Sequence, residues 1–461
     1  MLYRLLRRIA TVALRWYYRS IEVLGLERFP SSGPVIVAAN HWNALVDALI
    51  IACALDRPVR LTAKATLLAH PLTRLIVRAV GIIPLRRTSD EQHAGSADAA
   101  GATEPSAGAV EDRNTQSFGA ILDALQRGEV VLIFPEGRSH SEPALARLKT
   151  GCARLALMAH VQRGMSPVPI VPIGLTFEAK GRPRSRVVVQ VGPPLRPEDT
   201  EDLSPGRVHA LTARLDRALR DITLNFGSRD DAEQILHVST LLTTVLDRVR
   251  PLAAPDPPLS AALRMAQRLE AARQVLPDAS PETLREVNAF LERLDDFRAT
   301  LRDLRIPVND LSMPVTRSAG AWFVLREVTI ATVTLPIAAW GRLNHWIPLS
   351  LARWIGRTTS TNADEPAMRT LVAGVATVLM LYVAVAAVIG WGVGTRWAVA
   401  YLITLPPAAS LDFWLTARLR RAAERAQAYL TLRADLVRRA DLRREAGALR
   451  HIARKLDALV R

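Results

Sequence analysis

Cysteine and lysine are scarce in this chain of 461 residues. The only cysteines are Cys53 and Cys152, so the sequence has neither a disulfide framework nor the cysteine set of a zinc site. This scarcity favours a reducing compartment over an oxidising one. Arginine supplies nearly all of the positive charge and alanine is abundant, a bias that favours a GC-rich bacterial source.

The first twenty residues, MLYRLLRRIATVALRWYYRS, lack an uninterrupted apolar run, because Arg15 divides it. We therefore expect no signal peptide. Four arginines recur at steps of four, seven and four residues, which places them on one helical face. They are Arg4, Arg8, Arg15 and Arg19. Residues 1–20 are predicted to form an amphipathic helix on anionic lipid. The alternative is an ordinary packed helix with a basic rim.

The formal net charge of +16 calls for an anionic partner, either nucleic acid or the phosphate face of a bilayer. The basic tail, residues 416–461, contains a single aromatic residue, Tyr429. Because nucleic-acid bases stack on aromatic side chains, this tail is not typical of a nucleic-acid site. We predict a basic amphipathic helix against lipid or solvent, with anionic membrane lipid and no nucleic acid as partner.

Residues 21–215 alternate short β-rich runs with helical stretches, which indicates an α/β domain. The predicted strands are Val35–Ala39, Val130–Phe134, Ile170–Phe177 and Val187–Val191. Within this domain, residues 88–117 are small and polar and have almost no large apolar side chains. Such a segment cannot bury a core, so we expect a disordered insertion or a surface loop.

The remainder of the chain is predicted to be helical. Residues 216–315 have apolar residues at three- and four-residue steps, typical of a helical hairpin. Residues 316–415 are predicted to be membrane-embedded, with spans at about 370–392 and 397–414. A third apolar run, 328–341, is short and interrupted by proline, so it is expected to be re-entrant or interfacial.

The basic residues that follow the apolar region favour the cytoplasmic side of a membrane. A two-span hairpin with both ends inside satisfies this rule, and it predicts a multi-pass protein of the inner membrane with a cytoplasmic α/β domain. The alternative is a soluble helical tail with one buried helix.

The stretch ANHWNALVD places His41 and Asp47 after an apolar strand. A histidine that is held by a carboxylate can take a proton from a hydroxyl group. Six residues at about 100° each rotate by about 240° around a helix, so the two residues would face apart on one helix. They meet only if His41 lies in the turn before the helix. A buried structural histidine, with Asp47 as a cap, is the alternative.

Three further motifs follow in order: GIIPLRR at 81–87, FPEGRSHS at 134–141 and VPIG at 171–174. A pair of arginines after a strand matches the geometry of phosphate oxygens. A tight turn after a strand presents backbone N–H groups to an anion. His140 is interpreted as a turn residue, and Lys149 as either a phosphate contact or the first-turn charge of a helix.

Together, the four motifs resemble the glycerolipid acyltransferase family, whose members acylate glycerol 3-phosphate, dihydroxyacetone phosphate or lysophosphatidate. The stretches LERFPSSGPVIVAANH, TAKATLL and LKTGCARLAL resemble the same family. The likeness covers roughly residues 1–215. It implies a mixed sheet flanked by helices, with an all-α region containing membrane segments after it.

The resemblance implies a role for each matching residue. His41 would be the general base and Asp47 would orient it. The acceptor phosphate site would comprise Lys64, Arg86, Arg87, Glu136, Gly137 and Arg138. Further candidates are Asn40, Asn43, Ser139 and Lys149. The acyl donor would be acyl-CoA or acyl carrier protein, and neither a metal nor another cofactor is implied.

Two departures from the family pattern affect these assignments. Five residues separate His41 from Asp47, where the common motif has four, and this longer spacing resembles a subgroup close to fungal glycerol 3-phosphate/dihydroxyacetone phosphate acyltransferases. Arg138 follows Gly137 directly, one position earlier than in the common motif. The sequence therefore predicts a membrane-bound O-acyltransferase acting on glycerol 3-phosphate or dihydroxyacetone phosphate. The alternatives are a lysophosphatidate acyltransferase and a non-catalytic lipid-binding protein.

Overall fold

The computed structural model describes two compact units, residues 1–227 with 356–371 and residues 228–355 with 372–461. The described residues are 2–64, 81–85, 118–140, 142, 144–199, 202–226, 235, 239, 243, 258–275, 280–307, 310–311, 313–360 and 366–460. The predictions for Arg86, Arg87 and the insertion 88–117 lie outside these residues.

The first unit is built on a seven-stranded sheet in the order β1-β7-β6-β2-β5-β3-β4. The strands are β1 Ser20–Leu24, β2 Val35–Ala39, β3 Val59–Lys64, β4 Ile83–Leu85, β5 Val130–Ile133, β6 Ile170–Phe177 and β7 Arg186–Val191. Every neighbouring pair is parallel except β6 and β7. The mixed α/β sheet and the four strands predicted from sequence are confirmed, with ends shifted by one residue in β5 and β7.

Both faces of this sheet are buried, which explains why its strands are continuous apolar runs. In β2, Val35 and Val37 face one core cluster, while Ile36 and Ala38 face a second. The helices of this unit are α1 Leu2–Tyr17, α2 Leu45–Ala54, α3 118–126, α4 Gly151–Val161 and α5 Pro205–Ile222. Helices α1 and α2 contribute to the first cluster, and α3, α4 and α5 to the second.

Helix α1 packs on this unit through part of its surface. Leu14 and Tyr17 are buried in the first core cluster, and the backbone N–H of Val59 donates to the Tyr3 hydroxyl at 3.1 Å. Leu2 and Leu5 remain about half exposed, at 48% and 55%. The helix is therefore packed, as the alternative interpretation expected, and it keeps an exposed apolar strip that suits lipid.

The second unit is helical. Its elements are α6 Leu259–Val275, α7 Pro281–Asp303, most of α8 Arg317–Thr359, most of α9 Pro366–Gly392, α10 Thr395–Ala434 and α11 Leu436–Val460. Ser280 caps α7 by accepting a hydrogen bond from the Thr283 N–H at 3.2 Å. The apolar side of α7 packs against α11 and the end of α10. Helices α6 and α7 lie within residues 216–315, where the sequence predicted a helical region.

Within the described part of the chain, three helices are long and apolar enough to cross a membrane: α8, α9 and α10. The run 328–341 was expected to be a short segment broken by Pro336, but it lies inside the 43-residue helix α8. A proline removes one hydrogen bond from a helix, and neighbouring helices can compensate for that loss. The described residues thus include three candidate spans where the sequence predicted two spans and a shorter segment.

Candidate active site

His41 lies where β2 ends, in a turn that precedes α2. Helix α2 begins at Leu45, so His41 is outside the helix that carries Asp47, as the spacing requires. The Val46 N–H donates to the Asn43 carbonyl at 3.0 Å, and Ala44 between them has φ 47° and ψ −128°. These are the dihedrals of the first central residue in a type II′ turn. This turn accommodates the additional residue between His41 and Asp47.

Asp47 is fully buried and directs one oxygen toward this turn. Its Oδ2 lies 3.0 Å from His41 Nδ1 and accepts hydrogen bonds from the N–H groups of Trp42 and Asn43 at 2.7 and 2.6 Å. Because an ionised carboxylate only accepts hydrogen bonds, Nδ1 is the protonated ring nitrogen of His41 in this geometry. Its Nε2 then carries the lone pair that a proton acceptor needs.

The imidazole of His41 is held by the contact of Nδ1 with Asp47 and also by stacking on an aromatic ring. It stacks on Phe134, with 3.8 Å between ring centroids and 12° between ring planes. Its side chain keeps 15% of its surface exposed. Among the described residues, none forms a hydrogen bond with Nε2. The ring is therefore fixed in position while its reactive nitrogen stays accessible.

Glu136 joins the turn after β5 to the turn after β2. It is buried, and its Oε1 accepts a hydrogen bond from the His41 N–H at 2.7 Å. Its Oε2 accepts one from the Ala146 N–H at 2.8 Å and makes a short contact with His140 Nε2. The His140 N–H donates to the His41 carbonyl at 3.1 Å. Glu136 thus positions the histidine backbone.

The parallel arrangement of the strands brings these turns together. Since β2, β5 and β6 are parallel neighbours, their carboxyl ends lie at one edge of the sheet. Lys64 is the last residue of β3, which is parallel to β5 and ends at the same edge. The side chain of Asn40 connects the end of β2 to β6. Its Nδ2 donates to the Leu175 carbonyl at 3.0 Å, and its Oδ1 accepts from the Leu175 N–H at 2.7 Å. Its amide is therefore structural.

Of the other residues predicted from the sequence, some contact the turns of the site and one faces solvent. Ser139 Oγ accepts a hydrogen bond from the Ala44 N–H at 3.2 Å, which supports the strained turn. Arg138 is 67% exposed and pairs with Glu142 at 2.9 Å, so it points away from the buried network. Gly137 has φ 76°, and a Cβ there would lie 2.7 Å from Lys149 Cε. Lys149 therefore lies directly over the turn that carries Glu136.

Sequence reasoning missed two residues. His140 was interpreted as a turn residue, but it is buried against Glu136. The Lys180 ammonium donates to the His140 carbonyl at 2.8 Å, beyond the end of β6. Lysine occurs at only four positions in the chain, Lys64, Lys149, Lys180 and Lys455. That scarcity could have singled out Lys180 in the loop after β6.

Two side chains near Asp47 retain unused hydrogen-bonding groups. Asn43 is fully buried, and neither of its amide atoms has a hydrogen-bond partner among the described residues. The Tyr18 hydroxyl is likewise buried without such a partner. Burial, with smaller contributions from Tyr17 and Asp47, raises the pKa of Tyr18 well above its usual value. This phenol therefore stays protonated as a donor.

Both cysteines of the chain are in environments that disfavour the thiolate. Cys152 is buried in α4, and this burial raises the pKa of its thiol to about 12. Burial also raises the pKa of the Cys53 thiol. The thiolate form that acts as a nucleophile is therefore disfavoured at both cysteines. Within the described part of the chain, no group of three or more His, Cys, Asp or Glu side chains is arranged to hold a metal ion.

Comparison with known proteins identifies related sequences. The model of the acyltransferase family matches residues 20–176. Glycerol-3-phosphate O-acyltransferase 2 of Saccharomyces cerevisiae is 39% identical over 82 residues, which is 18% of this chain and 11% of the yeast protein. An uncharacterized acyltransferase of Schizosaccharomyces pombe is 25% identical over 255 residues, 41% of this chain and 38% of that protein. The chain thus matches well under half the length of these relatives.

A crystal structure of the 1-acyl-sn-glycerophosphate (LPA) acyltransferase PlsC from Thermotoga maritima shares 16% identity and a TM-score of 0.35, covering 48% of this chain and 78% of that one. The curated relatives are fungal, so the comparisons do not support the bacterial source that composition favoured. The family match spans the strands and turns that bring His41, Asp47 and Glu136 together. Residues 20–176 are therefore similar to the acyltransferase family, and this similarity covers the part of the chain that forms the candidate site.

Proposed function

We propose that this protein is a membrane-bound O-acyltransferase that transfers a fatty acyl group from acyl-CoA or acyl carrier protein to glycerol 3-phosphate or dihydroxyacetone phosphate. The observation that carries the proposal is the His41–Asp47 pair at 3.0 Å, with the second ring nitrogen left accessible. The family match over residues 20–176 supports acyl transfer as the reaction class.

The proposed reaction begins when His41 Nε2 takes the proton of the acceptor hydroxyl. Buried Asp47 stabilises the imidazolium that forms. The acceptor oxygen attacks the thioester carbonyl, so a C–O bond forms and, as the tetrahedral intermediate collapses, the C–S bond breaks. The departing thiolate receives the proton from His41. No acyl-enzyme forms, and the proposed steps need no metal or further cofactor.

The acceptor phosphate is assigned to the basic residues at the same sheet edge. Lys149 lies over the turn that carries Glu136, and Lys180 approaches His140. Lys64 ends β3 at that edge. Arg86 and Arg87 remain proposed phosphate ligands from the sequence motif. Arg138 is the weakest of the set, because in this structure it pairs with Glu142 at the surface.

The membrane location follows from the substrates and from the helices. The acyl donor and the product both carry fatty chains, and α8, α9 and α10 are long enough to cross a bilayer. We propose that two of these helices form a spanning hairpin, which leaves the basic tail and the catalytic domain together on the cytoplasmic side of the inner membrane.

The experiment compares the purified chain in detergent with its His41→Ala variant. Acyl transfer from acyl-CoA is measured to glycerol 3-phosphate, dihydroxyacetone phosphate and lysophosphatidate. Loss of a general base typically lowers the rate by about 10²–10⁴-fold, and we expect a fall of that size at unchanged thermal stability. His160→Ala is the matched control, because His160 lies on α4 and pairs with Asp199 at the surface.

The acceptor panel decides between the alternatives. Preference for glycerol 3-phosphate or dihydroxyacetone phosphate supports the proposed substrates, and preference for lysophosphatidate would replace them. A wild type inactive on all three acceptors, or a His41→Ala variant as active as wild type, would overturn catalysis by this site and leave a lipid-binding role.

A further inference from the structure

An apolar groove with a basic rim lies in the second unit, between the start of α8 and the end of α10. Its volume is about 800 Å³, in the range of cavities that enclose small ligands. Its apolar wall includes Phe323, Val324, Val328, Ala426 and Leu430. Its basic residues are Arg317, Arg425 and Arg433. Among the described residues that line it, none is acidic.

The arginines are held in place by neighbours. Arg433 donates to the Tyr429 hydroxyl at 2.7 Å and lies 5.8 Å from the centroid of that ring. Tyr429 in turn donates to the Thr316 carbonyl at 2.9 Å, just before α8 begins. Arg425 pairs with Asp310 at 3.4 Å. Two guanidinium groups are therefore fixed before any ligand arrives, which reduces the entropy lost on binding.

The first turn of α8 adds to the positive character of this rim. Arg317 is its first residue and is exposed. The free N–H groups at a helix start carry partial positive charge, and of these the Ala319 N–H donates to Thr316 Oγ1 at 3.3 Å. A phosphate near Arg317 would therefore meet both a guanidinium group and the positive end of the helix.

The apolar wall continues onto the exposed surface of α8. Val324 and Val328 are each 57% exposed. Trp322 and Leu325 beside them are also largely exposed. A continuous apolar surface of this kind indicates a lipid or protein contact. Since this surface begins next to three arginines, the groove suits an amphiphile. Its basic rim would contact the anionic end of the ligand, and its apolar wall would contact the apolar chain.

We propose that this groove binds one anionic phospholipid of the bilayer. The arginines of the rim contact the headgroup phosphate, and one acyl chain lies against α8 and α10. Arginine forms paired hydrogen bonds with phosphate oxygens and is typical of such recognition. Arg425 is paired with Asp310, whereas no acidic residue is among the described residues that line the groove beside Arg317 and Arg433. The charge complementarity of these arginines with an anionic headgroup, together with the apolar wall that suits an acyl chain, selects a lipid over an acidic protein segment. The inference does not depend on acyl transfer.

The test measures lipid binding by the full-length chain in detergent. Native mass spectrometry follows retention of dioleoyl phosphatidylglycerol, with dioleoyl phosphatidylcholine as the zwitterionic comparison. We expect wild type to prefer phosphatidylglycerol by about tenfold or more, since one charge-assisted hydrogen bond is worth that much. Arg317→Gln with Arg433→Gln is expected to abolish the preference, and Ala426→Trp is expected to reduce binding of both lipids.

Two controls make the result specific to the groove. Arg420→Gln with Arg438→Gln removes the same charge from exposed positions outside it, and the preference should be unchanged within twofold. Arg317→Lys with Arg433→Lys keeps the positive charge of the rim. If the glutamine variant loses binding through the loss of charge, this lysine variant should retain part of the preference for phosphatidylglycerol. Size-exclusion elution and helical circular dichroism verify folding.

Several outcomes would overturn the proposal. One is a glutamine double variant that binds like wild type, and another is equal binding of the two lipids. Displacement of phosphatidylglycerol by equimolar glycerol 3-phosphate would assign the rim to a soluble phosphate instead. Because the readout is binding, these results stand whether or not the chain transfers acyl groups.

Discussion

Two histidines, one in each unit, differ in how many of their ring nitrogens are occupied. His41 in the α/β unit has Asp47 at Nδ1 and an accessible Nε2. His345 in α8 is 2% exposed, with Nδ1 at 2.7 Å from the Gly341 carbonyl and Nε2 at 2.5 Å from the Tyr382 hydroxyl. Both imidazoles form a hydrogen bond through Nδ1, but only His345 is buried. The accessible nitrogen is what suits His41 to proton transfer.

The two regions also use polar side chains differently. At the sheet edge, Asp47 and Glu136 gather backbone N–H groups from turns that the strands bring together. In the helical unit, polar side chains join one helix to another, as Arg342 does with Asp412 at 2.9 Å and Arg418 with Glu327 at 2.7 Å. Polar groups between apolar helices stabilise packing. The comparison predicts activity effects in the first unit and stability effects in the second.

The largest expected effect is that of Asp47→Asn. The amide has a similar shape, but it removes the charge that stabilises an imidazolium at His41. We expect kcat to fall by about 10²–10⁴-fold, measured with the preferred acceptor. Asp216→Asn on α5, which breaks a surface pair with Arg220, is the control. Equal activity of Asp47→Asn and wild type would show that the carboxylate beside His41 does not support proton transfer, and His41 would then be structural, as His345 is.

Glu136→Gln is expected to affect both stability and activity. It leaves His140 without its buried carboxylate partner and weakens the hold on the His41 backbone. Loss of a buried partner costs about 1–3 kcal/mol, which should appear as a lower Tm together with a lower kcat. Glu142→Gln in the same turn is the control, because its pair with Arg138 is exposed and such pairs contribute about 0–1 kcal/mol.

His345→Leu is expected to change stability alone. The substitution leaves the Tyr382 hydroxyl without its partner inside the helical unit. Hydrogen bonds between membrane helices contribute about 0.5–2 kcal/mol, so Tm in detergent should fall modestly. The kcat should remain within twofold of wild type. A loss of activity as large as that of Asp47→Asn would show that His345 also takes part in catalysis.

The smallest expected effect is a gain from Ala44→Gly. Ala44 has φ 47°, a conformation in which glycine is not strained. Removing this strain should raise the free energy of unfolding by about 0.5–1 kcal/mol, measured by denaturation, with activity retained. Ala48→Gly inside α2 is the matched control and should lower stability. If both variants lower stability equally, the turn is not strained.

Much of the first unit could be predicted because its signals are local. Strands buried on both faces are continuous apolar runs, so β2 and β6 were predicted with the observed ends. The turn before α2 followed from the six-residue step between His41 and Asp47. The role of His140 could not be predicted, since its burial depends on the approach of Glu136 across a turn.

In the helical unit, several features depend on contacts between distant segments and could not be predicted from local sequence. Composition predicted long apolar helices, which the structure contains, but it treated Pro336 as an interruption of a short segment. Whether a proline interrupts a helix depends on what packs around it, and that is not a local property. The basic groove has the same origin, because Arg317 and Arg433 are 116 positions apart in the chain and only the antiparallel pairing of α8 and α10 brings them to one rim.

The sequence by itself determined which reaction class to propose and which residues to suspect, because four motifs keep their order and chemistry regardless of what surrounds them. Tertiary structure decided which nitrogen of His41 is accessible, that Arg138 pairs at the surface while Lys180 and His140 join the site, and where a phospholipid would bind. Each of these depends on contacts between distant segments, whose geometry is set by strand order and helix packing rather than by spacing along the chain.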